Sequence, residues 1–257
     1  MSLVKVEHVI LKFGGITAVN DVSFDIEKGT IFSLIGPNGA GKTSMFNMIT
    51  GFYKPTKGEI LFQEKSIVGR KPSRITQMGM ARTFQNIRLF RNLTVMENVM
   101  SGMHSKTKQG ILGAIFGTPA QKREEQAIKS TALYCINFVG IQEYKDRLAK
   151  NLPYGVQRRV EIARAMAASP KLLLLDEPAA GLNKSERSGL IELIHHLRDE
   201  QGLTVLLIEH DIGLVSEVAD RIVVLDYGQK IAEGSPTEVF NNPRVIEAYL
   251  GKEEDEA

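Results

Sequence analysis

The sequence predicts an α/β fold with three parts: a mostly parallel sheet, an N-terminal antiparallel β subdomain and an inserted helical subdomain. Three observations favour this fold. Apolar runs at residues 31–35, 171–175 and 204–208 are continuous, which is typical of strands that are buried on both faces of a parallel sheet. The first 30 residues alternate between apolar and polar side chains, as half-exposed strands do. Residues 94–148 have apolar side chains at helical spacing.

The composition excludes several classes of protein. Of the 257 residues, 43% are hydrophobic and 24% are charged, which is ordinary for a globular protein. The net charge of +2 gives no reason to expect nucleic acid or acidic lipid as the main partner. The single cysteine, Cys135, excludes an internal disulfide, and we expect it to be buried in a helix. Because neither a signal-peptide apolar region nor an apolar run of roughly 20 residues is present, any membrane role is expected to come through a partner.

The N-terminal elements follow from alternation and from turn residues. Residues 4–11 and 22–26 alternate as strands do, and Gly14 and Gly15 break the pattern between them. A further turn and strand are expected at 54–62. Together these segments predict an antiparallel sheet that lies beside the main sheet.

The middle of the chain is expected to be mainly helical. Residues 73–80 predict a short helix, and residues 81–86 a polar turn. Three glycines and a proline between 109 and 120 predict a loop or a broken helix. We therefore interpret residues 87–160 as a helical subdomain inserted into a single domain. The α/β core of that domain would consist of residues 1–86 and 161–257.

The C-terminal part alternates buried strands with helices. Asn183 and Glu186 have the spacing of a capping pair at the start of a helix that has one apolar face. A second helix is expected at 212–220. Residues 222–226 and 230–232 flank a tight turn, which predicts a hairpin.

The segment after residues 31–35 has the strongest chemical signal. Residues 36–43 fit the pattern G-x-x-x-x-G-K-S/T at every fixed position, between a predicted strand and a predicted helix. In that context the glycines let backbone N–H groups turn toward an anion, and the helix adds its positive end. Lys42 can reach the terminal phosphates, and Thr43 can offer its hydroxyl to Mg²⁺. The sequence therefore predicts a P-loop NTPase core whose nucleotide is bound by Gly36, Pro37, Asn38, Gly39, Ala40, Gly41, Lys42, Thr43 and Ser44.

Polar side chains also follow the other two buried strands. Asp176 comes after a run of four leucines, where a rigid strand would hold a hard oxygen ligand for Mg²⁺. Glu177 follows and can accept a proton from an attacking water, and His210 can orient that water or the terminal phosphate. Ligands bind beyond the carboxyl ends of strands in an open parallel sheet, so these groups are expected around one nucleotide. The alternatives are a solvated helix cap for the two acids and an ordinary edge position for the histidine.

The order of these motifs along nearly the whole chain resembles the ATP-binding subunit of an ABC transporter. The resemblance implies that Phe13 stacks on adenine, although Phe13 by position alone also suits a half-buried strand residue. It implies that Gln85 senses Mg²⁺ and the attacking water, that Glu177 is the general base and that His210 is the switch histidine. It further implies a head-to-tail dimer in which each ATP lies between the phosphate loop of one subunit and a signature segment of the other. That segment comprises Leu152, Pro153, Tyr154, Gly155, Val156 and Gln157.

Two departures from the family pattern accompany this resemblance. The family signature is Leu-Ser-Gly-Gly-Gln, whereas residues 152–156 are Leu-Pro-Tyr-Gly-Val. The serine that usually contacts the terminal phosphate is absent, and Pro153 has neither a hydroxyl nor an N–H group. Asn183 also replaces the usual aspartate of the loop 178–183, called the D-loop. We expect function to survive, with weaker contacts across the dimer.

A narrower set of residues resembles the longer of the two ATP-binding subunits of branched-chain amino acid importers. The matching segments are 81–90, 110–120, 178–183 and 242–251. This resemblance implies a location on the cytoplasmic, inner face of the cell membrane. The implied partners are membrane permease subunits, a second copy or a shorter paralogous ATPase and, indirectly, an extracytoplasmic solute-binding protein. A groove for a permease helix would include Ile87, Leu89 and Phe90, although these residues also suit the core of the helical subdomain.

Three other functions compete with import. The nearest is the ATPase subunit of another single-cassette system, such as lipid or lipopolysaccharide export. An ABC protein bound to nucleic acid or ribosomes would usually have two cassettes, long coiled-coil arms or a basic surface, and the sequence has none of these. A nucleotide-binding module without hydrolysis would not need the retained set of Lys42, Gln85, Asp176, Glu177 and His210.

Overall fold

The computed structural model describes residues 1–103 and 119–250, and its strands form two sheets. The smaller sheet is antiparallel, with strand order β2-β1-β4-β5, as the alternation of the N-terminal residues predicts. The N-terminal strands are longer than predicted because their backbone pairing continues to Phe13 and Ile16 at the turn between them. The four strands are β1 (Ser2–Phe13), β2 (Ile16–Glu27), β4 (Lys57–Phe62) and β5 (Lys65–Ser66).

The larger sheet has six strands in the order β10-β9-β3-β8-β7-β6. All neighbouring pairs are parallel except the C-terminal hairpin of β9 and β10, so the prediction of a mostly parallel sheet is confirmed. Asp176 is the last residue of β7, and the two other buried runs end at Ile35 and Ile208. The strands are β3 (Ile31–Ile35), β6 (Met80–Arg82), β7 (Leu172–Asp176), β8 (Thr204–Ile208), β9 (Arg221–Asp226) and β10 (Gln229–Gly234).

Strand β6 is where the structure corrects the sequence-based prediction. The predicted helix 73–80 ends at Met78, because Gly79 takes a φ of 110° that closes it. Residues Met80–Arg82 then pair with β7, so the predicted polar turn begins only after them. The helices of the core are α1 (Lys42–Ile49), α2 (Pro72–Met78), α6 (Lys184–Asp199), α7 (Ile212–Val218), α8 (Pro236–Phe240) and α9 (Pro243–Leu250).

Where the structure describes the predicted helical region, it shows three α-helices. Thr94 and Glu97 make a capping box at the start of the first one. The predicted loop over 109–120 lies outside the described residues except for its last two, which already belong to a helix, and the acidic tail from residue 252 also lies outside them. The division of the chain at residue 160 stays a prediction, since one helix runs across it. The helices are α3 (Val95–Ser101), α4 (Pro119–Phe138) and α5 (Tyr154–Ala167).

Side chains on the two faces of strand β7 belong to two separate hydrophobic clusters. Leu173 and Leu175 of β7 pack with helices α3 to α7, whereas Leu172 and Leu174 pack with α1 and the antiparallel sheet. Burial on both faces explains why these strands are continuously apolar. Cys135 is buried in α4, as predicted, and burial raises its pKa to about 11. Within residues 1–103 and 119–250, none of the helices has the length and apolarity of a membrane span.

Candidate nucleotide-binding site

The loop between β3 and α1 has the backbone shape that the phosphate-binding pattern predicts. Gly36, Gly39 and Gly41 have φ values of 147°, 82° and 100°, which favour glycine. A Cβ atom at Gly36 would collide with the backbone carbonyl of Leu225, and one at Gly41 would lie 2.6 Å from the carbonyl oxygen of Ala18. The loop is therefore packed so closely against β2 and β9 that only glycines fit at its two ends.

Lys42 begins α1, and its side chain folds back over the loop. Its Nζ donates hydrogen bonds to the carbonyl oxygens of Gly36, at 2.6 Å, and of Pro37, at 2.9 Å. Burial lowers the pKa of Lys42, and the negative charge of Glu177 partly offsets this effect. Thr43 is exposed at the first turn of α1, and Ser44 is half-buried. The ammonium group is thus held over the loop, at the positive end of a helix of eight residues.

The two acids at the tip of β7 have different environments. Asp176 is almost fully buried, and its Oδ2 accepts a hydrogen bond from Nη2 of Arg82 at 2.8 Å. Glu177 leaves the strand with a φ of 45°, a region that non-glycine residues seldom adopt, and its N–H donates to the carbonyl oxygen of Ile208 at 2.9 Å. The alternative of a solvated helix cap does not fit, because α6 begins seven residues later at Lys184.

Two further predicted site residues converge on Glu177. Nε2 of Gln85 donates a hydrogen bond to Oε2 of Glu177 at 2.8 Å, and Nδ1 of His210 lies 3.9 Å from the same oxygen. Gln85, Glu177 and His210 follow the ends of β6, β7 and β8. Lys42 begins α1, and the negative charge of Glu177 partly offsets the lowering of its pKa by burial. The structure therefore brings Lys42, Gln85, Asp176, Glu177 and His210 to one edge of the larger sheet, as the sequence predicts.

The sequence-based prediction missed a buried acid at this edge. Glu209 follows β8 and is fully buried, and burial raises its pKa. Its carboxylate accepts hydrogen bonds from the N–H groups of Ala179, at 2.9 Å, and His210, at 3.2 Å. It thus anchors the D-loop and His210 together. The available signal was its position directly after a buried strand, the same position that identified Glu177.

Phe13 ends β1, and its ring is exposed. The ring of Tyr53 lies edge-on against it, with 5.1 Å between the centroids and 75° between the planes. The half-buried strand position that was the alternative for Phe13 is therefore corrected to an exposed one. An exposed ring next to the first turn is accessible to a planar ligand. The stacking of Phe13 on adenine stays a prediction.

The predicted signature segment surrounds the start of α5. Leu152 and Gly155 are buried, whereas Pro153 and Tyr154 are exposed. Pro153 is the N-cap residue, where its missing N–H is no loss to the helix, and its carbonyl oxygen accepts a hydrogen bond from the N–H of Gln157 at 3.0 Å. Nε2 of Gln157 donates to the carbonyl oxygen of Leu152 at 2.9 Å. The helix start is thus well formed without the serine of the family signature.

The D-loop leads into α6 through the predicted capping pair. The N–H of Glu186 donates to Oδ1 of Asn183, and the N–H of Asn183 donates to Oε2 of Glu186, both at 3.0 Å. Asparagine and aspartate are equally good at such a cap, so the replacement at position 183 keeps the helix start intact. The ring of Tyr154 packs so close to Gly181 that a Cβ atom there would lie 3.1 Å from it.

A second feature that the sequence-based prediction missed is a buried ion pair that holds the chain around Gln85. Arg158 and Glu161 of α5 are each 1% exposed and lie 2.9 Å apart. Arg158 donates hydrogen bonds to the carbonyl oxygens of Phe84, at 2.8 Å, and Gln85, at 3.0 Å, while Glu161 accepts from the N–H groups of Phe84 and Arg88 at 3.3 and 3.4 Å. Burial raises the pKa of Glu161, and the charge of Arg158 acts in the opposite direction. The backbone on both sides of Gln85 is therefore fixed to α5.

The residues predicted to form one groove are divided between two cavities. Phe90 lines a cavity of about 370 Å³ together with the rings of Phe52 and Phe84. Ile87 and Leu89 instead line a smaller cavity of about 210 Å³ beside the signature segment. Ile87 and Leu89 therefore line a different cavity from Phe90, which corrects the prediction that all three contribute to one groove.

The oxygen atoms near the phosphate loop fit a magnesium ion that is bound mainly through a nucleotide. In the described part of the chain, no three histidine, cysteine, aspartate or glutamate side chains are grouped as a metal site. Magnesium bound with ATP usually takes only one or two protein ligands, with phosphates and waters completing the octahedron. Thr43, exposed at the start of α1, and Asp176, at the end of β7, are the predicted pair, and this assignment stays a prediction.

Comparisons with known proteins agree with this geometry. Residues 19–180 match the family described as "ABC transporter", and residues 229–255 match the one described as "Branched-chain amino acid ATP-binding cassette transporter". The chain is 48% identical to the high-affinity branched-chain amino acid transport ATP-binding protein LivG of Salmonella typhimurium, over 97% of this chain and 98% of that protein. It is 45% identical to BraF of Pseudomonas aeruginosa over the same shares.

Solved structures give the same result. An ATP-binding cassette of an ABC transporter in its ADP conformation is similar with a TM-score of 0.85 and 32% identity, covering 98% of this chain and 100% of that one. A dimeric cassette in a post-hydrolysis state, bound to ADP and Pi, is similar with a TM-score of 0.75 and 27% identity, over 91% and 98% of the two chains. The chain therefore belongs to the ABC transporter family of ATP-hydrolysing subunits, among the ATP-binding proteins of the branched-chain amino acid type.

Proposed function

We propose that this chain is the ATP-binding subunit of an importer for branched-chain amino acids and that it hydrolyses ATP at the interface of a head-to-tail dimer. The observation that carries the proposal is the convergence of Gln85 and His210 on Glu177, at the sheet edge that also holds Lys42. The similarity over nearly the full length to branched-chain amino acid transport proteins favours this function over lipid or lipopolysaccharide export.

In this proposal the phosphates of ATP lie on residues 36–44. Backbone N–H groups and the start of α1 stabilise their negative charge, and Lys42 leaves its carbonyl partners to reach the terminal phosphates. The ring of Phe13 stacks on adenine. Thr43, Gln85 and Asp176 would hold Mg²⁺, and the bound ion would neutralise part of the negative charge of the phosphates.

Glu177 is the proposed general base. Its Oε2 accepts a hydrogen bond from Gln85, so Oε1 is the oxygen that would receive the proton of the attacking water. Gln85 and His210 would orient that water against the terminal phosphate. The buried contacts of Arg158 and Glu161 support this role, because they hold the backbone of Gln85 in place.

The trans contact is proposed for residues 152–157 of a second subunit, either another copy or a paralogous ATPase. The start of α5 can present N–H groups and a positive end to the terminal phosphate, even though Pro153 offers no hydroxyl. The D-loop, anchored by Glu209, would lie at the seam of the dimer. The dimeric solved cassette to which this chain is similar supports this arrangement.

The proposed partners in the membrane are two permease subunits, which would place the chain on the cytoplasmic face and link it indirectly to an extracytoplasmic solute-binding protein. A permease helix would occupy the aromatic cavity of Phe52, Phe84 and Phe90. The rings supply apolar contact area, and Phe84 of the cavity wall directly precedes Gln85 in the chain, so an occupant there would adjoin the proposed hydrolysis site.

Three measurements test the proposal. Purified chain should release phosphate from MgATP, and the Lys42→Ala variant should not; equal rates would exclude a P-loop mechanism. A Glu177→Gln variant should form an ATP-dependent dimer in sedimentation, because ATP is bound but not cleaved. For the solute, proteoliposomes with the co-purified permeases and solute-binding protein should take up labelled leucine only with ATP inside, and Glu177→Gln should abolish that uptake.

A further inference from the structure

Arg82 was not predicted as a site residue, yet it contacts Asp176 directly. It is the last residue of β6, which pairs with β7 in the sheet. Nη2 of Arg82 lies 2.8 Å from Oδ2 of Asp176, and the two side chains are only 11% and 8% exposed. A pair this well shielded from water interacts more strongly than a surface pair, so it constrains the direction of the carboxylate.

The rest of the guanidinium is also held in place. Nη1 of Arg82 donates hydrogen bonds to Oδ1 of Asn47 at 2.8 Å and to Oγ1 of Thr50 at 3.1 Å, at the end of α1. Because the guanidinium is planar, fixing Nη1 at α1 also fixes the position from which Nη2 reaches Asp176. The carboxylate is thus positioned by the helix that begins at the phosphate loop.

The same guanidinium borders the aromatic cavity. Arg82 is part of the cavity wall, with Phe52 and Phe84 beside it. The guanidinium carbon lies 5.8 Å from the centroid of Phe52 and 5.3 Å from that of Phe84, both within the range of cation–π contacts. The guanidinium of Arg82 therefore contacts both the rings of the cavity wall and the predicted metal ligand Asp176.

We propose that Arg82 is a positioning residue that holds the Asp176 carboxylate in the orientation that Mg²⁺ requires and transmits to it the presence of a permease helix in the aromatic cavity. A helix seated in the cavity would displace Phe52 and Phe84, tilt the guanidinium that packs on them and turn the carboxylate bonded to it. This inference rests on the proposed function, since the metal and the occupant of the cavity are both taken from there.

The Mg²⁺ dependence of nucleotide binding tests whether Arg82 positions the Asp176 carboxylate. A fluorescent ATP analogue is titrated into purified chain in EDTA and then at increasing Mg²⁺. For Arg82→Met we expect the Mg²⁺ concentration at half-maximal effect to rise about tenfold or more, the usual scale for losing a partner of a metal ligand. The affinity of Arg82→Met for the ATP analogue in EDTA should stay near that of the parent chain, because the phosphate loop is intact.

Two other variants serve as controls. Arg82→Lys keeps the charge but not the planar fork, so we expect an intermediate shift. Arg88 also lies over the ring of Phe84, at 4.4 Å, but it is the guanidinium of Arg82 that contacts Asp176. Arg88→Met should therefore leave the Mg²⁺ dependence unchanged. If circular dichroism shows folded Arg82→Met or Arg82→Lys and neither shifts the Mg²⁺ dependence, the positioning role is wrong.

Transmission from the cavity to Asp176 through Arg82 is tested with the permease subunits. Arg82→Lys should still co-purify with them but lose most of the stimulation of ATP hydrolysis that they give to the parent chain, while Arg88→Met should keep it. Equal stimulation of Arg82→Lys and the parent would exclude transmission through Arg82. If the parent chain itself binds no permease, the proposed function fails instead, and the result of the Mg²⁺ titration on the isolated chain is unaffected.

Discussion

Replacing Arg158 by methionine gives the sharpest test of how the chain around Gln85 is held. Arg158 and Glu161 are both 1% exposed, so the substitution leaves a buried carboxylate without its nearest cation. Removing one partner of a buried pair usually costs about 3–5 kcal/mol of unfolding free energy. The carbonyl groups of Phe84 and Gln85 also lose a donor, whereas Arg164, 3.9 Å from Glu161, offsets part of the loss. We therefore expect a destabilisation of about 4 kcal/mol.

Urea unfolding followed by circular dichroism is the suitable assay, because the chain has no tryptophan for fluorescence. The double variant Arg158→Met, Glu161→Leu should recover about 2 kcal/mol relative to the sum of the two single variants, since no unpaired charge remains buried. Arg159→Met is the matched control on the same helix. It removes a single hydrogen bond to the carbonyl oxygen of Val139, at 2.7 Å, and should cost about 1 kcal/mol.

Two results would refute this account. A destabilisation by Arg158→Met no larger than that by Arg159→Met would mean that the buried pair contributes no more than an ordinary hydrogen bond. Strict additivity of the Arg158 and Glu161 substitutions would mean that the two side chains do not act as a pair. If Arg158→Met does not fold at all, the single variant Glu161→Gln, which keeps the shape of the side chain, is compared with Arg159→Met instead.

Three further predictions concern the loop, the cysteine and the D-loop. Gly36→Ala should abolish binding of a fluorescent ATP analogue, because the new Cβ would collide with the carbonyl of Leu225; retained affinity would contradict the tight packing of the loop. The thiol of Cys135 should resist a disulfide reagent at pH 8 and react once the chain is unfolded in urea. Since its folded pKa is about 11 and the unfolded pKa is lower, unfolding free energy should fall as pH rises from about 9 to 11, and a Cys135→Ala variant should lack that slope. Asn183→Ala should cost about 1 kcal/mol in urea unfolding while Asn183→Asp costs almost nothing, and equal losses would exclude the capping role.

Elements with a repeating pattern could be predicted from the sequence. The apolar runs that became β3, β7 and β8 and the capping pair at α6 were recognised because burial and capping impose a local signature. Strand β6 was missed because three residues are too few to show alternation. It exists because β7 offers a free edge, which is a tertiary cause.

The candidate site divides in the same way. Lys42, Asp176 and Glu177 could be predicted because their chemistry depends on neighbours in sequence, at a loop or a strand end. Arg158 and Glu161 could not, since two opposite charges three residues apart on a helix usually form a surface pair. Only the packing of α5 against the chain at Phe84 buries them. The contact of Arg82 with Asp176 likewise joins residues that are distant in sequence.

The burial of Glu209 has a mechanical consequence. Its single carboxylate is bonded to the N–H of Ala179 on one side of the acidic strand tip and to the N–H of His210 on the other. A hydrogen bond to a charged group contributes about 1.5–3 kcal/mol, so neither side can move alone without losing that much. In the proposed dimer, a displacement of the D-loop would therefore be coupled to the backbone of His210, so the two sides of the proposed site would move together.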